Sequence, residues 1–75
     1  MTDPDPEPTL SVRINGVSHT WKPAWTLEAL LAELQATGPG VAVERNRVVV
    51  RKADYPACVL EPNDVVEVVR LVGGG

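Results

Sequence analysis

The Asn15-Gly16 pair constrains the fold of this chain more than any other feature. Apolar and polar residues alternate on both sides of it, over 10–14 and 17–21. Asn-Gly suits the two-residue type I′ turn, in which both central residues have positive φ. Such a turn pairs residues that share a face, and we expect the pairs Ile14 with Val17, Val12 with His19, and Leu10 with Trp21. The sequence therefore predicts a β-hairpin whose single apolar face carries His19 towards the core.

A helix is predicted next along the chain. Thr26 is a suitable N-cap, and Trp25 before it can pack on the first turn. Four leucines then form one stripe at helical spacing: Leu27, Leu30, Leu31 and Leu34. Gly38 suits the left-handed position that ends a helix. The pattern predicts a helix over 27–37.

The second half of the chain reads as strands around turns. We predict short strands at 41–43 and 48–50, a loop or helical turn at 52–58, and a final strand at 65–72 after a turn at 62–64. The final run is almost entirely β-branched, which is typical of a central strand covered on both faces or of one with an apolar outer patch. We place it beside the first strand, in parallel. The prediction is an α+β, β-grasp fold, a mixed sheet with one main helix packed on one face.

Length and composition limit what such a domain can do. Seventy-five residues make one small domain with little room for a deep pocket, so we expect the chain not to be an enzyme. One cysteine (Cys58) and one histidine (His19) exclude a multi-cysteine metal site, and we expect no bound metal or cofactor. Cys58 is interpreted as a buried structural residue. With neither a membrane-spanning stretch nor a secretory signal, we expect a soluble cytoplasmic protein.

Charge is distributed unevenly. Net charge is −3, but three of the ten acids lie in the first eight residues, which alternate with proline. We therefore expect 1–8 to be a disordered acidic tail, 9–72 to be the β-grasp domain and 73–75 to be a flexible glycine tail. Four basic residues cluster: Arg45, Arg47, Arg51 and Lys52. They are read as a solvated face, with partner docking as the alternative. With only three aromatic residues and no basic excess, nucleic acid is not expected as a partner.

The three glycines at 73–75 are hard to explain by stability, because glycine at a chain end packs against nothing. A harmless linker is one reading. The other is that these residues enter a narrow channel in a partner and present the Gly75 carboxylate. That ionised group is a poor electrophile and needs activation, for example as an acyl-adenylate. Because this chain offers no base, metal site or phosphate loop, a partner must supply the chemistry.

Taken together, these features resemble the ThiS family, the ubiquitin-like β-grasp sulfur carriers of thiamine biosynthesis. The resemblance covers about 10–75 and rests on Asn15-Gly16, the leucine stripe, Asn46 and the ending 64–75. It implies that an adenylyltransferase related to ubiquitin-activating enzymes uses ATP to adenylate Gly75. A sulfurtransferase or cysteine desulfurase pathway then makes a thiocarboxylate, whose sulfur goes to thiazole synthase. Gly74 and Gly75 are the matching functional residues, and we expect no membrane partner.

Other readings stay open. The same tail chemistry would serve molybdopterin or another sulfur product, or ubiquitin-like conjugation to lysines, and a third possibility is an interaction domain with an inert tail. Four residues are candidate partner contacts: Val69, Leu71, Val72 and Gly73. The chain departs from the family at Arg47 and Asn63, where glycine is usual, and at Arg51, where proline is common. Arg47 predicts a different turn type after Asn46.

Overall fold

The computed structural model describes residues 10–71, which form a five-stranded mixed sheet with one α-helix on one face. The elements are β1 (Ser11–Ile14), β2 (Val17–Thr20), α1 (Leu27–Glu33), β3 (Val41–Arg45), β4 (Val48–Val50), a 3₁₀ helix (Lys52–Ala57) and β5 (Val65–Arg70). The strand order is β2-β1-β5-β3-β4, and only the β1–β5 pair is parallel. The predicted α+β arrangement and the central, parallel position of the last strand are confirmed. The tails predicted at 1–8 and 73–75 lie outside the described residues.

The first hairpin has the predicted register. Ile14 pairs with Val17 and Val12 pairs with His19, while the Trp21 amide donates to the Leu10 carbonyl at 2.8 Å. Asn15 and Gly16 both have positive φ, as a type I′ turn requires. Burial follows the register on β1 but less so on β2, where His19 is half-buried and Val17 is 58% exposed. The reason is position, because β2 is the edge of the sheet.

The helix begins as predicted and ends four residues early. The Thr26 hydroxyl accepts from the Ala29 amide at 3.1 Å, as an N-cap should. Gln35, not Gly38, occupies the left-handed position after the helix, with φ 57°. The amides of Gln35 and Ala36 donate to the carbonyls of Ala32 and Leu31, which is the Schellman pattern. The prediction of a helix to residue 37 was wrong because it assumed that the left-handed residue after the helix would be a glycine.

The turn after Asn46 is the same type as the first hairpin turn. Arg45 pairs with Val48, so Asn46 and Arg47 form a two-residue loop, and their φ values are 52° and 71°. Two positive φ values are typical of a type I′ turn. The expectation that Arg47 changes the turn type was wrong, since the arginine adopts the left-handed conformation that glycine would take.

This conformation predicts that Arg47→Gly stabilises the protein. The left-handed region costs a residue with a Cβ about 1 kcal/mol, and we expect the free energy of unfolding to rise by about that amount in a urea titration. Arg47→Ala is the matched control, because it removes the side chain and keeps the strain. An equal gain in both variants would assign the effect to the arginine side chain instead of the backbone.

The core lies between α1 and the inner face of the sheet. Its buried members are Val12, Ile14, Trp25, Leu27, Leu30, Leu31, Val43, Tyr55, Leu60 and Val66. The 3₁₀ helix confirms the helical alternative of the predicted loop or helical turn, and after it the chain returns along the start of α1. There the Leu27 amide donates to Cys58 and the Leu60 amide donates to Trp25, each at 2.8 Å. The indole N–H of Trp21 donates to the Leu60 carbonyl and closes this side of the core.

Across residues 10–71, the structure contains no helix with the length and apolar character needed to cross a membrane.

Candidate functional site

The candidate site is the end of β5, from which the chain continues into the glycine tail. Val66 faces the core, and successive residues of a strand point to opposite faces. The odd-numbered residues that follow Val66 therefore face away from the core. Val69 and Leu71 therefore lie on the open face of the sheet and are 47% and 64% exposed. Of the two readings of the last strand, the apolar outer patch is the one that the structure shows. The candidate residues Val72, Gly73, Gly74 and Gly75 lie outside the described range.

An apolar patch surrounds this strand end. Ala42 of β3 lies directly opposite Val69, and we call Ala42, Val69 and Leu71 the outer patch. Next to it along the same strands, Glu44 lies directly opposite Glu67. Like charges facing each other across two strands repel. The open face thus combines exposed apolar surface with a pair of carboxylates, which suits a partner with apolar and cationic side chains.

The loop before β3 holds Leu71, the residue that follows β5. The Leu71 amide donates to the Gly40 carbonyl, and the Arg70 guanidinium donates to the Thr37 carbonyl at 3.4 Å. Gly40 has φ +84°, and a Cβ built on it would lie 2.8 Å from the Leu71 carbonyl oxygen. The backbone of β5 therefore approaches Gly40 closely enough to leave no room for a side chain.

Asn15 holds the middle of β5 from the other side. Its side-chain amide accepts from the Val68 amide at 2.7 Å and donates to the Val68 carbonyl at 3.2 Å. The β1–β5 ladder ends at Asn15, whose own amide donates to Val66. The side chain therefore continues the pairing one step beyond the strand. The sequence indicated Asn15 as a turn residue and carried no signal for this second role.

A buried carboxylate fixes the start of β5. Asp64 is 5% exposed, and its oxygens accept from Arg45 Nε at 2.8 Å, Asn46 Nδ2 at 3.0 Å and the Glu61 amide at 2.8 Å. The Asn46 Oδ1 in turn accepts from the Val65 amide at 2.9 Å. The two hairpin asparagines therefore act alike, since each binds β5 through its side chain. Sequence analysis missed Asp64 and Arg45 as a pair.

These contacts move both pKa values. Burial raises the pKa of Asp64, but the hydrogen bonds from Glu61, Asn46 and Arg45 and the charge of Arg45 outweigh it, so the pKa falls below its ordinary value. Burial alone would lower the pKa of Arg45, but the hydrogen bond to Asp64 and the charge of Asp64 outweigh it. The pKa of Arg45 therefore lies above its ordinary value. The network is therefore an ion pair at neutral pH.

The predicted basic cluster divides into different roles. Arg45 is half-buried in the ion pair, whereas Arg47 lies in the turn and Arg51 and Lys52 are exposed. Arg45 Nη1 also lies 3.8 Å from the Cys58 sulfur. Cys58 is half-buried, so it is less enclosed than the predicted structural cysteine.

Comparison with known proteins identifies the family of this chain. A family model described as the ThiS family matches residues 12–75. The sulfur carrier protein ThiS of Bacillus subtilis is 38% identical over 65 residues, which is 85% of this chain and 98% of that protein. The chain belongs to the ThiS family. Members of this family are small sulfur carrier proteins of thiamine biosynthesis, as the resemblance implied.

Two further ThiS-like matches are longer proteins. The thiazole synthase of Magnetococcus marinus is 42% identical over 66 residues, which is 88% of this chain and 20% of that protein. The thiazole synthase of Paramagnetospirillum magneticum is 40% identical over 62 residues, or 83% of this chain and 19% of that protein. The chain therefore spans about a fifth of the length of these two relatives.

The fold matches a solved ThiS structure as well. The crystal structure of the thiamine biosynthesis protein ThiS from Geobacter metallireducens superposes with a TM-score of 0.73 at 29% identity, covering 88% of this chain and all of that one. The ubiquitin-like β-grasp fold is confirmed by this match.

The three departures from the ThiS pattern all fit the backbone. Arg47 and Asn63 have φ values of 71° and 73°, which are the left-handed values expected where glycine is usual. Arg51 precedes the 3₁₀ helix with φ −73°, close to the value that proline imposes. At each of the three positions the backbone therefore has a φ that the residue usual in the family could adopt.

Proposed function

We propose that this protein is a sulfur carrier that acts as a co-substrate, in the cytoplasm, through the carboxyl group of Gly75. The observation that supports this most directly is the extent of the family match, which runs through the glycine residues to position 75. The structure adds that β5 is held by hydrogen bonds up to Leu71, four residues before that carboxyl group. The proposal requires Gly75 to carry a free carboxyl group.

The chemistry proceeds in steps that partners supply. A carboxylate oxygen of Gly75 attacks the α-phosphorus of ATP on an adenylyltransferase, and pyrophosphate leaves. A persulfide sulfur, carried by a sulfurtransferase or cysteine desulfurase, then attacks the acyl carbon and AMP leaves, which gives an acyl disulfide. A thiol reductant then attacks the sulfur that belongs to the sulfurtransferase or cysteine desulfurase. The S–S bond breaks, the Gly75 thiocarboxylate leaves, and the attacked sulfur and the thiol form a disulfide. No step needs a cofactor bound to this chain.

Thiazole synthase is the proposed acceptor of the sulfur. Two relatives named thiazole synthase contain a region similar to this chain, which supports a functional link between the two activities. Delivery of the sulfur to a molybdopterin synthase or another sulfur acceptor is one alternative. A second is conjugation, in which a lysine amine attacks the activated Gly75 acyl carbon, AMP leaves and an isopeptide bond forms. Each alternative gives a different product.

The first test of the proposal is ATP–pyrophosphate exchange. The chain is mixed with a ubiquitin-activating-enzyme-like adenylyltransferase from the same genome, ATP and labelled pyrophosphate. We expect label to enter ATP only when the chain is present, because the first step is reversible. Exchange at the rate of a mixture without the chain would contradict the proposal.

The same assay tests the outer patch as the docking surface. We expect Leu71→Asp to raise the KM for the carrier about tenfold, since a buried interface carboxylate without a partner is costly. Val17→Asp is the matched control, because Val17 is an apolar residue of similar exposure on the edge strand β2, away from the open face around β5. Equal changes in the two variants would show that the added charge, and not its place in the patch, is responsible.

A further inference from the structure

We infer that Gly40 is a positioning residue for the carrier reaction, because its lack of a side chain lets the backbone of Leu71 pack closely against it. The inference rests on the proposed function. It concerns Leu71, which follows β5 and is the last described residue before the tail that carries the Gly75 carboxyl group.

The contact is a close approach between two backbones. Gly40 continues the β3–β5 register by one residue, so it lies opposite Leu71 just beyond the pair Val41 and Arg70. The Leu71 amide donates to the Gly40 carbonyl. A Cβ at position 40 would stand 2.8 Å from the Leu71 carbonyl oxygen, closer than real Cβ atoms come, and the obstacle is backbone that no rotamer change can move.

The φ of Gly40 has a second consequence. At +84° an L-residue is strained whatever space it has. Replacing Gly40 therefore has two separable effects, a conformational cost in the loop and a displacement of the Leu71 carbonyl. Only the second effect reaches the tail.

A substitution at Gly38, in the same loop, distinguishes the loop strain from the displacement of the Leu71 carbonyl. Gly38 also has positive φ, +101°, but a Cβ there would meet nothing within 4 Å. Gly38→Ala therefore reproduces the loop strain without touching β5. The pair forms a matched comparison within three residues of sequence.

Displacing Leu71 should reduce turnover more than binding. Val69 of the outer patch precedes the contact with Gly40, and Val68 beside it is hydrogen-bonded to the Asn15 side chain. Most of the docking surface therefore stays in place. The carboxyl group, however, starts from a displaced residue. The residues that follow span at most about 3.3–3.6 Å each, so a shift of Leu71 relative to the docked patch changes the reach of the carboxyl group by a similar amount. A misplacement of about 1 Å can cost 10²-fold in rate.

The experiment measures steady-state adenylation of the full chain by the adenylyltransferase, with carrier concentration varied. We expect Gly40→Ala to lower kcat about tenfold or more relative to Gly38→Ala, with KM for the carrier changed by less than about threefold. Thermal unfolding of both variants checks that they are folded at the assay temperature. Equal kcat values in the two alanine variants would overturn the inference.

A second pair keeps the test decisive if Gly40→Ala does not fold. Leu71→Pro removes the N–H that donates to Gly40, whereas Leu71→Ala keeps it and loses the same side chain. We expect kcat to fall further in Leu71→Pro than in Leu71→Ala, and equal values would overturn the inference. A wild-type chain that supports no adenylation at all would instead contradict the proposed function, so the two failures are distinguishable.

Discussion

Deleting Gly75 should reduce thiocarboxylate formation by at least about 10²-fold, because the carboxyl group then lies one residue short and a misplacement of 1 Å already has effects of that size. The shortened chain still ends in a carboxylate, that of Gly74. The loss would therefore reflect reach and not the absence of the functional group. One residue of extended chain spans about 3.3–3.6 Å. The measurement is the yield of thiocarboxylate with the adenylyltransferase, ATP and a persulfide donor supplied.

Two controls accompany the deletion. Gly75→Ala keeps the length and adds one methyl group, so it reports how narrow the partner's channel is. Deletion of Asp3 shortens the chain by one residue at the other end, inside the acidic segment that the mechanism does not use. An unchanged yield after deletion of Gly75 would contradict the assignment of this residue as the acyl carrier, because the Gly74 carboxylate would then serve equally well.

Asp64→Ala should have the largest effect on stability. It removes a buried carboxylate that accepts three hydrogen bonds, and it leaves Arg45 half-buried without its partner. Breaking a buried pair in this way costs about 3 kcal/mol, which corresponds to a fall in Tm of about 15 °C for a domain of this size. Urea and thermal unfolding measure both quantities.

The matched control is Glu61→Ala. Glu61 also approaches Arg45, with an oxygen 3.6 Å from Nη2, but its side chain is 75% exposed. An exposed pair of this kind contributes less than about 1 kcal/mol. Equal losses in the two variants would show that the buried network is not what holds the start of β5.

The lowered pKa of Asp64 also predicts how stability depends on pH. A carboxyl group whose pKa is lower in the folded state stabilises that state fully above the unfolded pKa, near 3.8, and loses this contribution as pH falls through the folded value. Asp64→Asn removes the titrating group. We therefore expect the unfolding free energy of Asp64→Asn to fall less steeply than that of the wild type below about pH 4.

Local signals predicted the register of the first hairpin and part of the helix. The register followed from Asn15-Gly16 alone, since a two-residue turn leaves one pairing. The helix start followed from Thr26, whose hydroxyl binds the Ala29 amide. The end did not, because Gln35 adopts a left-handed conformation that glycine usually takes. No local pattern marks a glutamine for that role.

The features that hold β5 could not be predicted because they are contacts between distant segments. Asn15 and Val68 are 53 residues apart, and their hydrogen bonds exist only once the last strand lies parallel to the first. The same holds for Arg45 with Asp64, which read in sequence as a basic cluster and a turn residue. Gly40 is a further case, since only the path of Leu71 shows why a side chain is excluded there.

The most direct test of the sulfur-carrier account is the mass of the C-terminal peptide of the native protein, isolated from cells starved of thiamine. Cleavage after Arg70 releases residues 71–75, which contain neither methionine nor cysteine, so oxidation of Met1 or Cys58 cannot imitate the result. The account predicts a free C-terminus at Gly75 and a fraction of this peptide in which sulfur replaces one carboxyl oxygen and reacts with iodoacetamide. A peptide that ends at Gly75 with an unmodified carboxyl group, even with ATP, the adenylyltransferase and a persulfide donor supplied, would contradict it.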